Sequence, residues 1–334
     1  KVKEVLDTMH EGLFVELVED LIRKVSTFGC YFTTLDIRQD SSVLRNAFNY
    51  LVERHPETGL DLKKVTDSEV EKEKEIKFTE SNFDVEQDAD ALVVDTLKVI
   101  KLIKDIQKSG SERAAQRFII SNCQQPSDIL GLMQLFLWSG WKKDNLTIDF
   151  VPLFETVDDL SRAADVMRSL YANHAYAEHI KHRGNKQTIM LGFSDSTKDG
   201  GYLMANWSIY RAKIELTAIA REYDVDLVFF DGRGGPPARG GGKTQRFYAS
   251  MGKEIANEHI QLTIQGQTIS SQYGSLETAK YNIEQLLQAG IISELQQNDG
   301  DTLTKKQKEV IDQMAQVSHG KFMSLRKDPL FLKY

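Results

Sequence analysis

The sequence predicts an α/β fold with parallel strands, and two observations carry that expectation. Strand-like and helix-like segments alternate along the 334 residues, the order expected where helical crossovers join parallel strands. The apolar, β-rich runs 188–193 and 227–230 each stop at a polar, glycine-rich turn. Strand ends of that kind are where α/β proteins place their chemistry.

In chain order, a helical pattern over 13–25 leads to a strand over 31–37 and a helix over 42–53. Residues 56–88, including Glu71-Lys-Glu-Lys-Glu-Ile-Lys77, mix both signs of charge with few aromatics and read as a charged surface insertion. A helix over 88–110 precedes the strand 117–121, and a helix over 127–139 precedes the strand 147–153. The next helix, 157–171, carries Asp158 and Asp159 in its first turn, where the macrodipole favours acids. After the strand 188–193 comes a helix over 203–223. There Leu203, Trp207, Tyr210, Ile214 and Ala218 recur at spacings of three and four, one apolar face against a sheet. Strands over 226–230 and 261–264 follow, and the remainder, 276–289 and 304–316, reads as helix only. Six strands with crossovers fit part of a (β/α) barrel, although strand spacing alone does not separate that from an open doubly wound sheet.

Composition narrows the function classes. With 41% hydrophobic and 27% charged residues the chain can bury a sizeable core. A formal net charge of −7 argues against the basic surface that nucleic-acid binding needs, so any anion must be bound locally. Cys30 and Cys123 are isolated, which predicts neither a zinc site nor a disulfide framework and fits a reducing cytoplasm. No apolar run reaches the roughly 20 residues of a membrane span. The chain opens with Lys1-Val-Lys-Glu, neither an initiator methionine nor a signal peptide, which leads us to expect a piece of a longer protein.

The residues that carry chemistry gather at strand ends. Glu155 follows the apolar run 150–154, and Asp195 follows 189–193 after one serine. A carboxylate at each of two strand tips can supply oxygen ligands to a hard divalent ion, or can cap the next helix. Lys198 sits in a glycine-bounded turn entering a helix, either as a neutralising cation for an anionic oxygen or as an ordinary exposed lysine. Arg233 and Arg239 are the only charged side chains between Asp231 and Lys243. Arginine suits a bidentate grip on phosphate or carboxylate, and a flexible glycine-rich loop lets the backbone approach the ligand. Gly242-Lys-Thr244 imitates the end of a P-loop, but the required leading glycine is Pro237, which lacks a donor. Arg38, at the end of the 31–37 strand, either faces the same rim or pairs with Asp36 or Asp40. His174, His179 and His182 lie on a helix and its exit without the carboxylates of a metal site, and are expected to be solvated.

The runs Phe193-Ser-Asp-Ser-Thr-Lys-Asp-Gly-Gly201 and Phe230-Asp-Gly-Arg-Gly-Gly-Pro-Pro-Ala-Arg-Gly-Gly-Gly242, preceded by Val151-Pro-Leu-Phe-Glu-Thr-Val-Asp-Asp-Leu160, resemble the central and C-terminal motifs of the phosphoenolpyruvate carboxylase family, in the family's order. Phe28-Gly29, Leu35-Asp-Ile-Arg-Gln39 and Leu262-Thr-Ile-Gln-Gly266 extend the similarity more weakly. The resemblance implies part of a (β/α)8 TIM-type barrel with additional helices, a single domain whose helical extension begins near 275.

It also implies metal-dependent carboxylation of phosphoenolpyruvate with bicarbonate, through carboxyphosphate and the enolate of pyruvate, to oxaloacetate and phosphate. Glu155 and Asp195 would hold Mg2+ or Mn2+, Lys198, Arg233 and Arg239 would be catalytic, and Arg38 would bind substrate. The family further suggests an acidic feedback inhibitor near Arg239, a homotetramer and a cytoplasmic location. From the residues alone, another metal-dependent lyase or phosphotransferase acting on an enol phosphate, or a simple anion-binding domain, stays open.

Two departures accompany the resemblance. The family commonly has histidine where this chain has Asp231, and often glycine where it has Ala238; Asp231 is expected to turn away from any bound anion, pairing with an arginine or capping the turn. No histidine stands in the threonine-alanine-histidine-proline context of the family's catalytic histidine, and the family's later arginine-rich segment and C-terminal tail have no counterpart. Residues 1–334 alone are therefore expected to be inactive.

Overall fold

The computed structural model describes residues 1–29, 31, 33–58, 78–83, 90–234, 242–252, 254–256, 258–295, 302–331 and 333. Helices α1 (Val2–Met9) and α2 (Val15–Phe28) lead into strand β1 (Asp36–Asp40) and helix α3 (Ser41–Arg54). Helix α4 (Ala91–Ser109), β2 (Arg117–Ser121), α5 (Pro126–Trp138), β3 (Asp149–Phe154), α6 (Val157–Ala172), α7 (His174–His182) and β4 (Lys186–Leu191) follow. Then come α8 (Phe193–Gly200), α9 (Tyr202–Glu222), β5 (Asp226–Gly234), α10 (Thr244–Ala249), β6 (Ile260–Ile264), α11 (Gly266–Tyr273), α12 (Leu276–Leu295) and α13 (Lys305–Arg326). No helix among the described residues is long and apolar enough to cross a membrane.

The strand order is β1-β2-β3-β4-β5-β6, with every neighbouring pair parallel. A doubly wound sheet reverses direction at a switch point, whereas here each strand is laid beside its predecessor on the same side. The sheet curls into a half-barrel, as part of a TIM-type barrel does, which resolves the choice left open by strand spacing.

Alternation along the strands gives the curl two faces. Ile119, Val151, Leu153, Met190 and Phe230 form a small cluster inside the curl. The intervening residues Phe118, Ile120, Phe150, Phe154, Ile189, Leu191 and Phe229 join the large core beneath the helices. Helix α5 is buried along nearly its whole length, and its start is fixed by Pro126 and a capping box between Gln125 and Asp128, a pairing that satisfies two orphan N–H groups. Thr156 and Asp159 form the same device at α6, so Asp159 is structural, as anticipated, while Asp158 pairs with Arg162 on the helix surface.

Several elements differ from expectation for identifiable reasons. β1 begins at Asp36, so Arg38 lies in mid-strand. Strand propensity needs a partner, and just before β1 Leu35 donates its N–H to the Ala114 carbonyl at 2.9 Å, outside the paired register. On α9 the buried residues are Ala205, Trp207, Ile209, Ala212, Lys213, Leu216, Thr217, Ile219 and Ala220. Of the expected stripe Trp207 is buried, Tyr210 and Ile214 are half-buried at the edge of the core, and Ala218 is exposed; the centre of the buried face lies to one side, where a buried lysine and threonine disguise it. Part of the charged segment is also core: Phe78 is buried, and Thr79 and the Gln134 side chain exchange hydrogen bonds at 3.1 and 2.7 Å. His179 is buried too, against Phe150 and Tyr176, not solvated as His174 and His182 are.

Candidate active site

Glu155, Asp195 and Lys198 lie just past the C-terminal ends of β3 and β4, the face on which barrels of this type carry their sites, and Arg38 reaches Glu155 from mid-strand β1. Paired residues on adjacent strands point the same way. Arg38 pairs with Ile119, and Ile119 with Val151, both members of the inner cluster. Glu155 follows Val151 and Leu153 at the strand period. Arg38 and Glu155 therefore both face the inside of the curl, and Arg38 Nη2 donates to Glu155 Oε1 at 2.8 Å. The local alternatives for Arg38 are taken: Asp36 pairs with Arg117, and Asp40 caps α3 by accepting from Ser42 N–H.

Glu155 is the best-anchored acid of the group. Its Oε2 accepts from the Asn122 backbone N–H at 2.9 Å, and its side chain is 16% exposed. Burial holds its carboxyl above the usual carboxylate range and Asp195 adds to this, while the Asn122 N–H and Arg38 oppose it. A Cβ at Gly192 would stand 3.2 Å from Glu155 Cγ, so glycine at the end of β4 leaves the acid its room.

Asp195 and Lys198 sit on α8 and not in a turn, one helical step apart, and their side chains pair at 2.9 Å. Both are at least half exposed. The helix is seated by Ser196, which is fully buried and whose hydroxyl reaches the main-chain carbonyls of Glu155 and Gly192. Strand β3 thus fixes the helix that carries Asp195.

Arg233 is placed differently. β5 runs on to Gly234, with an irregularity against β6 between Asp231 and Gly234, so Arg233 belongs to a strand and not to a flexible loop. Its guanidinium lies 4.2 Å from the centre of the Phe247 ring of α10, on the helix-facing side. Burial lowers its pKa. The structure brings Arg38, Glu155, Asp195 and Lys198 to one rim and sets Arg233 against α10; Arg239 lies outside the described residues.

Asp231 turns away from the rim as expected, but its partner is not an arginine and it does not cap a turn. Leu191, an outer-core residue, is its register partner, so it points at the helices. There it accepts from Lys213 Nζ and the Tyr248 hydroxyl, each at 2.8 Å. Neither Lys213 nor Asn122 was singled out from the sequence. A lysine between Ile209 and Leu216 on an otherwise apolar helix face was the available signal for the first; a backbone conformation is the only signal for the second.

The chain matches the family model for phosphoenolpyruvate carboxylase over residues 2–334. The chain belongs to the phosphoenolpyruvate carboxylase family. It is 32% identical over 324 residues to a phosphoenolpyruvate carboxylase of Corynebacterium diphtheriae, covering 93% of this chain and 35% of that protein. A Nitrosomonas eutropha protein of the same name is 32% identical over 288 residues, covering 84% of this chain and 31% of its own length. One from Xanthomonas euvesicatoria is 31% identical over 328 residues, covering 98% and 35%. The chain thus spans about a third of the length of these relatives.

The donor set suits the divalent ion that the resemblance implies. Among the described residues no three His, Cys, Asp or Glu side chains converge as a cage, so an ion here would rest on two carboxylates, with water and substrate oxygens filling its other positions. That is the usual arrangement for Mg2+, and oxygen-only ligands also suit Mn2+. Glu155, half-buried and raised in pKa, is an acid whose charge a neighbouring cation would stabilise.

Proposed function

We propose that the full-length protein carboxylates phosphoenolpyruvate with bicarbonate, giving oxaloacetate and phosphate. The observation that carries this reading is the rim on which Arg38 grips Glu155 beside Asp195 and Lys198, in a chain matched end to end by the family. Glu155 and Asp195 hold Mg2+ or Mn2+, which when bound supplies Lewis-acid stabilisation of negative oxygen.

In the first step a bicarbonate oxygen attacks phosphorus and the bond to the enol oxygen breaks, leaving carboxyphosphate and the enolate of pyruvate. Carboxyphosphate then releases carbon dioxide and phosphate, and the enolate methylene carbon attacks carbon dioxide to form oxaloacetate. Lys198, exposed on this rim, offsets charge on the phosphoryl or bicarbonate oxygens, and Arg38 orients the substrate from inside the curl. Arg233 and Arg239 bind the phosphoenolpyruvate and carboxyphosphate anions, Arg233 on leaving its place over the Phe247 ring. Preorganised donors of this type are worth roughly a hundredfold to a thousandfold in rate each. An acidic feedback inhibitor near Arg239, assembly into a homotetramer and a cytoplasmic location belong to the same reading.

The test is an assay of the full-length protein with phosphoenolpyruvate, bicarbonate and Mg2+, following oxaloacetate by its NADH-linked reduction and phosphate separately. Equal yields of both products support the proposal. Phosphate without oxaloacetate would indicate a phosphatase or phosphotransferase instead.

A further inference from the structure

Asn122 leaves β2 with φ of 53°, in the left-handed region that costs a residue with a Cβ about 1–2 kcal/mol and that asparagine enters more readily than most. Strain of this type at a strand end persists where the surroundings impose it. The surroundings here are two hydrogen bonds. The Asn122 N–H donates to Glu155 Oε2 at 2.9 Å, and its carbonyl accepts from the Ser41 hydroxyl at 2.7 Å.

Ser41 opens α3 immediately after β1, the strand that carries Arg38, and Arg38 holds the other Glu155 oxygen at 2.8 Å. β3 lies between β2 and β4 in the sheet. Glu155 is therefore gripped from the β1–β2 side on both oxygens, while Asp195 stands on the β4 side. The outgoing chain is fixed by the Cys123 N–H, which donates to the Leu153 carbonyl at 3.3 Å. An ordinary right-handed or extended residue at position 122 could meet that contact only by shifting the 121–122 peptide, which would take its N–H off Oε2 and leave the carboxylate free to rotate.

We infer that Asn122 is a positioning residue for the divalent-metal site: its left-handed backbone lets the chain turn out of β2 while the 121–122 peptide N–H stays on Glu155, and that bond presents the carboxylate to the ion shared with Asp195. The inference rests on the reading of Glu155 as a metal ligand. It assigns the function to the backbone of Asn122. The side-chain Oδ1 instead accepts from Gln124 at 3.2 Å, away from the carboxylate.

The backbone origin makes the inference testable. Glycine adopts the left-handed region freely, whereas a β-branched residue there is a marked outlier. Mn2+ affinity of the full-length protein, titrated by electron paramagnetic resonance without substrate, is the readout, with thermal unfolding as the check on folding. Asn122→Val is expected to weaken Mn2+ binding about tenfold to a hundredfold, the usual effect of removing a group that orients a metal ligand. Asn122→Gly, which keeps the conformation, is expected to bind as the parent does. If Asn122→Val does not fold, Asn122→Ala provides the same comparison with a smaller loss.

Parent-like affinity in the folded valine or alanine variant, together with loss of binding in Glu155→Ala, overturns the role of Asn122 and leaves the ligand assignment standing. Equal weakening in Asn122→Gly and Asn122→Val also overturns it, because the side chain would then be responsible. Unchanged affinity in Glu155→Ala removes both the ligand assignment and the inference built on it.

Discussion

Lys213 Nζ stands 2.8 Å from the Asp231 carboxylate, and both side chains are only 1% exposed. Phe229 and Phe247 flank the ammonium with ring centres 4.7 and 5.3 Å away, and the Tyr248 hydroxyl donates to the same acid. The pair ties α9, β5 and α10 together at the root of the glycine-rich run. Removing one member of a buried pair strands the other charge, typically at 3–5 kcal/mol, whereas replacing both by apolar residues is often neutral.

Asp231→His, which brings in the residue the family commonly has, is accordingly expected to destabilise this chain by about 3–5 kcal/mol, since Lys213 loses its counter-charge. Lys213→Met should cost a similar amount, and the double variant Lys213→Met/Asp231→Leu should recover most of it. Urea unfolding of the three variants checks this; single variants as stable as the parent would show that the pair is not buried in solution.

Metal binding is predicted to depend on the two rim carboxylates. Glu155→Ala with Asp195→Ala should abolish Mn2+ binding while the fold persists, because Asp195 is half exposed and Glu155 belongs to neither apolar cluster. The measurement is a Mn2+ titration on the folded double variant. Retained affinity would place the ligands elsewhere.

Arg233→Ala separates catalysis from packing. Acting on charge that develops during reaction, it should lower turnover of the full-length protein by about a hundredfold or more, and Arg239→Ala should behave similarly. The stack on Phe247 adds a stability cost for Arg233 of about 0.5–2 kcal/mol. Kinetics and thermal unfolding of both variants decide the matter: a stability loss with full turnover would make Arg233 a purely structural residue.

The parallel sheet and the acids at its rim were legible because period and turn chemistry are local: apolar runs ending at Glu155 and just short of Asp195 announce strand tips. Side-chain partnership across the fold was not legible. Arg38 had two acids within two residues in sequence, yet its partner is Glu155, 117 residues away, because strand β1 turns position 38 inward and only the three-dimensional register brings position 155 above it. Lys213 was hidden for the opposite reason, since a lysine on a helix reads as solvated until its counter-ion, 18 residues on in a strand, is seen beneath it. Arg233 read as a loop residue because glycine weakens a strand pattern. Pairing with β4 ends at Asp231, and it is Ile264 of β6, opposite Gly234, that carries β5 on.

The buried histidine predicts a pH dependence with a definite sign. Burial pulls the His179 pKa from 6.5 down to about 3, and the Arg183 and His182 charges push the same way. Above pH 6.5 the imidazole is neutral in both folded and unfolded chains and contributes no pH dependence. Below it, the unfolded chain takes up a proton that the folded chain refuses, so stability falls as pH drops, by up to about 1.4 kcal/mol per unit, until the folded pKa of about 3 is reached. Between pH 7 and pH 5, where most carboxylates stay ionised, this amounts to about 2 kcal/mol. His179→Leu keeps an apolar side chain against Phe150 and Tyr176 but cannot titrate, and its stability should change less over that interval by the same amount. Urea unfolding of parent and variant at the two pH values is the measurement. Equal changes in both would mean that His179 finds a protonated state inside the folded chain.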